Sequence, residues 1–73
     1  MTEDEAREIL RNFMKKPYSA TEWPKVWVGK KIWESSLGYG FQAAYYREGQ
    51  NPEDRWCNWS VDAKTRECMF AIM

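Results

Sequence analysis

The strongest constraint on this chain is a stripe of apolar residues near its N-terminus. Ala6, Ile9, Leu10, Phe13 and Met14 recur at intervals of three and four, so one face of a helix would be apolar and the other polar. The ends agree with this. Thr2 is placed to cap the first turn, and Glu5, three residues on, completes a capping box. Glu3, Asp4 and Glu5 put negative charge at the start and Lys15 and Lys16 positive charge at the end, the signs that the helix dipole favours. Pro17 stops the pattern. A helix is predicted over about residues 3–15. A helix this short gains most of its stability from burying its stripe against something else, and the rest of the chain must supply that surface.

The next residues, Lys16 to Pro24, read as a connector, with two prolines and small polar residues. Tyr18 and Trp23 are large for a free loop and are expected to pin it to the body. From Lys25 onward the pattern changes to strand. Lys25–Trp33 is rich in Val, Ile and Trp, with Val26, Val28 and Ile32 expected on one face and Gly29 marking a bulge or bend. A helical turn over 31–37 is the alternative there, and Ser35–Gly40 reads as a turn region. For Gly40–Arg47, alanines allow a helix and aromatics favour a strand. The strand is preferred, with Phe41, Ala43 and Tyr45 on one face. Gly49-Gln50-Asn51-Pro52 is a turn.

The last third reads as a hairpin, with arms at 55–61 and 66–72 joined by Asp62-Ala63-Lys64-Thr65. If Trp59 lies opposite Cys68, then Cys57, Trp59, Val61, Cys68, Phe70 and Ile72 share a face. A bulged turn would shift the register by one and bring Met69 and Ala71 there instead. The second arm is apolar on both faces, which suggests a central strand or one covered by a helix. The whole is expected to be a single α+β domain over residues 1–73. It would have a helix at 3–15, a connector at 16–24 and, over 25–73, an antiparallel sheet of three or four strands on which the helix packs.

A chain of 73 residues buries only about 60% of its unfolded surface. Its 5 Trp, 4 Tyr and 3 Phe are the natural means of compensating. The 11 basic and 11 acidic residues balance, which argues against a protein that lives on phosphate contacts. There is no apolar run long enough to cross a membrane and no apolar leader, so a cytoplasmic location is expected, with reduced thiols.

The inventory of reactive groups is short. There are 0 His, which removes the commonest general base and metal ligand, and with it Ser-His and Cys-His nucleophile pairs. Cys57 and Cys68 are too few for a zinc site. They are read as buried thiols, with a cross-strand disulfide or a reactive thiol as alternatives. Glu53 and Asp54 are adjacent in a turn and point apart, unlike a glycosidase pair. Gly38-Tyr39-Gly40 lacks the lysine and the strand–helix context of a phosphate loop. No catalytic residue, metal or cofactor is therefore assigned, and the chain is expected not to be an enzyme.

What remains is recognition. Trp, Tyr and Arg anchor protein interfaces. Trp56 with Arg55, near Tyr46 and Arg47, is the first candidate site. The second is the strip Lys25, Trp27, Lys30, Lys31 and Trp33, whose lysines and indoles would also suit stacking on single-stranded nucleic acid. The leading expectation is a small protein-binding modulator that docks on a larger protein such as a polymerase or nuclease. Such adaptors and inhibitors are often encoded by phages and mobile elements. Nucleic-acid binding through the second strip, or a homodimer through the helix or through the last strand if that strand lies at an edge, are the alternatives.

Overall fold

The computed structural model describes residues 1–18, 20 and 24–71. One N-terminal helix packs on one face of a four-stranded antiparallel sheet, an α+β fold. The helix, α1, spans Glu3–Lys15 and passes into a single 3-10 turn over Lys16–Tyr18. The strands are β1 (Lys25–Ser35), β2 (Gly38–Tyr46), β3 (Cys57–Asp62) and β4 (Cys68–Ala71), and they lie in the order β1-β2-β3-β4. Each pairs with its sequence neighbour, so every connection is a hairpin.

The cap of α1 is as its sequence implies. The Thr2 side chain accepts from the Glu5 amide at 3.2 Å, and its hydroxyl donates to the Glu5 carboxylate at 3.3 Å. Ala6, Leu10 and Met14 are fully buried against the sheet. The surface they meet is formed by alternate residues: Val28 from β1, Tyr39, Phe41 and Ala43 from β2, and Val61 from β3. Ile9, Val26, Tyr45, Trp59 and Cys68 pack around that core. Phe13 lies at its margin, 46% exposed and edge-on to Trp59 at 6.4 Å.

β1 does not keep the alternation its sequence suggests. Val28 pairs with Ala43 and Lys31 with Phe41, three residues spanning two; Lys31 and Trp33 then span only Phe41 and Gly40. The two bulges turn Lys31 toward the helix side and leave Ile32 exposed, rather than inward with Val26 and Val28. Gly29 marks the first bulge, as expected. The carbonyls of Val28 and Gly29 there both accept from the Arg7 guanidinium, which also lies 5.0 Å above the Phe41 ring. The strand runs on to Ser35 and turns through Ser36 and Leu37, so there is no helical turn over 31–37, and Tyr39 and Gly40 belong to β2.

In the last hairpin the expected face holds: Cys57, Trp59, Val61, Cys68 and Phe70 all lie on the helix side. The partner of Cys68 is Val61, not Trp59, because the loop is two residues wider than a tight turn. Arg66 takes a left-handed conformation (φ 63°) to close it. Shifting by two preserves parity, so the face is unchanged. The expectation of a central last strand fails. β4 is an edge strand, with Met69 67% and Phe70 48% exposed. Tyr18 packs edge-on to Tyr45 at 5.6 Å and pins the connector. Trp23 and Ile72, given similar roles from the sequence, lie outside the described residues.

Candidate functional site

The helix covers one face of the sheet. The other face carries Trp27 and Trp33 from β1, Gly40, Gln42, Ala44 and Tyr46 from β2, Asn58 and Ser60 from β3, and Met69 from β4, by the pairing register. The indoles lie down on the sheet. A Cβ added to Gly40 would stand 1.9 Å from Trp33 Nε1, and one added to Gly29 would stand 2.2 Å from Trp27 Cη2. Each glycine is the gap into which a ring folds. On this face Ala44, the register partner of Trp27, is buried and Trp27 itself is half-buried.

Trp33 stays 42% exposed and forms one wall of a groove of about 180 Å³. Leu37 at the β1–β2 turn and Met69 on β4 supply its other apolar walls, with Ser60, Asp62 and Glu67 on the polar side. Leu37 is 78% exposed. Asp62 is held below the ordinary carboxylate range by the amides of Thr65 and Lys64, which donate to its Oδ1 at 2.9 and 2.7 Å. Nearer the middle of the face, Asn58 Oδ1 is buried without a hydrogen-bond partner.

The structure brings Tyr46, Arg47, Arg55 and Trp56 to one end of the sheet, because the end of β2 adjoins the approach to β3. Arg55 and Arg47 are exposed there, whereas Tyr46 and Trp56 are half-buried. The second strip is split. Trp27 and Trp33 face away from the helix, while Lys31 faces it and is held by Glu34 at 2.5 Å and Glu3 at 3.2 Å. Those carboxylates raise the Lys31 ammonium above its ordinary value, and Lys31 with Arg7 lowers Glu3. Lys25 and Lys30 are exposed. Lys25 pairs with Tyr46 and so shares the indole face with Trp27, whereas the bulges take Lys31 off that face.

Both cysteines are free thiols. Burial pushes the Cys68 thiol up to about 11, away from nucleophilic reactivity. Among the described residues, no three of His, Cys, Asp and Glu converge to hold a metal ion, and no helix is long and apolar enough to cross a membrane. The groove residues Leu37 and Met69 escaped sequence reasoning. Leu37 is an isolated apolar residue in a turn, and its only signal is that oddity. No protein-family model, curated protein or solved structure matches this chain.

Proposed function

We propose that this domain is a protein-binding module that docks on a larger protein through the sheet face opposite α1. One observation carries the reading: that face has no covering element among the described residues, yet it presents Trp33, Leu37 and Met69 around a groove rimmed by Asp62 and Glu67. A rigid sheet holding an indole flat against a glycine loses little side-chain freedom on binding, which is what makes an aromatic anchor effective. Arg55 and Arg47, with Tyr46 and Trp56, extend the same module at the far end of the sheet and would set orientation. Action as an adaptor or inhibitor would then be steric, by occupying a surface of the partner.

The split of the lysine strip, with Lys31 engaged by two carboxylates, favours a protein partner over single-stranded nucleic acid. Capture from host extract with wild type, Trp33→Ala and Trp56→Ala tests the proposal. The expected result is a stoichiometric protein retained in about 0.5 M salt, where phosphate contacts are largely lost, and released by Trp33→Ala. Material removed by nuclease treatment, or capture indifferent to both substitutions, would overturn it.

A further inference from the structure

The two edges of the sheet are built differently. β1 carries Lys25, Lys30, Lys31 and Glu34 and two bulges, the devices by which an edge avoids pairing with another strand. β4, Cys-Met-Phe-Ala, has no charge, no proline and no bulge, and Met69 and Phe70 are exposed on its two faces.

The hydrogen-bonding phase of β4 follows from the hairpin. The Asp62 amide donates to the Glu67 carbonyl at 2.8 Å, which sets Asp62–Glu67 at a hydrogen-bonding position of the ladder, with the Asp62 carbonyl taken by the Arg66 amide of the turn at 2.9 Å. Bonded and non-bonded pairs alternate along an antiparallel ladder. Ser60–Met69 is then bonded, while Val61–Cys68 and Trp59–Phe70 are not. The amides and carbonyls of Cys68 and Phe70 therefore point away from β3, toward the open edge.

We infer that this edge is a self-association site, at which β4 pairs antiparallel with β4 of a second copy about a two-fold axis. Placing Met69 opposite the partner subunit's Met69 sets Cys68 opposite the partner's Phe70, and the reverse. All four outward amides then meet four outward carbonyls, with none left over. The pattern closes on itself, as a two-fold contact requires. The strand is uncharged and the chain carries 11 basic and 11 acidic residues, so no net repulsion opposes two copies. With the axis perpendicular to the sheet, both helices lie on one side of a continuous eight-stranded sheet. The ring cluster of Phe13, Trp59 and Phe70 then flanks the seam from each side. Four-residue strands make a small contact, so dissociation constants between about 10 µM and about 1 mM are expected.

Sedimentation equilibrium from about 5 µM to about 500 µM, with Met69→Lys, Met69→Glu and a 1:1 mixture of the two, is the test. Met69 is exposed, so the substitutions spare the core. Like charges directly opposite each other destabilise a strand pair and opposite charges support it. Wild type should show a monomer–dimer equilibrium. Each variant alone should dimerise at least about tenfold more weakly, and the mixture should regain dimer. Wild type that stays monomeric throughout, single variants that associate like wild type, or a mixture no better than its components would each overturn the assignment.

Discussion

The Tyr45 hydroxyl donates to the Met14 carbonyl at 2.7 Å, tying the end of β2 to the last turn of the helix. Tyr39 does the same at the other end, donating to the Met1 carbonyl at 2.8 Å. The spacing fits: six strand residues rise about 20 Å, and so do thirteen helical residues. The strand thus measures the helix and holds both its ends. Met14 lies in the last turn of the helix and Met1 just ahead of its cap. Tyr45→Phe and Tyr39→Phe are each expected to cost about 1 kcal/mol, and the double variant about 2 kcal/mol, since the sites share no partner. Urea unfolding checks this, and a double variant no worse than either single would refute independent clamps.

Two glycines of β2 should respond differently to alanine. At Gly38 (φ +157°) a Cβ would stand 2.1 Å from the Val61 carbonyl oxygen, which is backbone and cannot move aside. At Gly40 it would meet the Trp33 ring, which can swing out. Gly38→Ala is expected to cost about 2–4 kcal/mol. Gly40→Ala should cost roughly 1 kcal/mol and release Trp33 into solvent, with a red shift in its fluorescence. Equal stability losses would contradict the assignment of backbone to one site and a side chain to the other.

The tip of the β3–β4 hairpin should loosen in acid. Asp62 titrates below its ordinary 3.8 because the Thr65 and Lys64 amides favour the carboxylate. A folded value lower than the unfolded one means the contribution is present above pH 3.8 and lost as pH falls through the depressed value. Amide exchange at Lys64 and Thr65 should accelerate over that window. Asp62→Ala should show the fast exchange already at neutral pH, and Asp62→Asn, which keeps an acceptor, should not.

Cys68 should be a slow thiol. Its value rises from 9.0 to about 11, so the folded state resists ionisation. In a Cys57→Ser background at pH 8, disulfide exchange with an aromatic disulfide should run on the order of 10- to 100-fold slower than in the unfolded chain. The same shift removes stability between pH 9 and about 11, where the unfolded chain ionises first. A folded rate equal to the unfolded one would place Cys68 in solvent.

Most of the fold was legible because its signals are local. The Thr2–Glu5 cap and the Ala6–Met14 stripe depend on neighbours within one or two turns. The inward set Phe41, Ala43 and Tyr45 follows from strict alternation. The last hairpin kept its expected face although its register moved by two, because alternation depends on parity alone. β1 was misread where parity broke: the bulges place Lys31 inward, and the Arg7 guanidinium that satisfies the freed carbonyls is distant in sequence. The candidate site was less legible. Trp56 and Tyr46 lie at one end of the sheet and are half-buried, whereas the open groove depends on Leu37 and Met69.

The amino-acid sequence by itself determined the helix, its caps, the alternating strands and the scarcity of reactive groups, since each is set by residue chemistry at short range. Tertiary structure alone decided that β4 is an edge, that β1 is bulged, and that Trp33 lies over Gly40 while Met69 stands exposed. Those depend on strand order and on how long-range partners fill space. An apolar strand has the same sequence pattern whether its free side meets another strand or solvent.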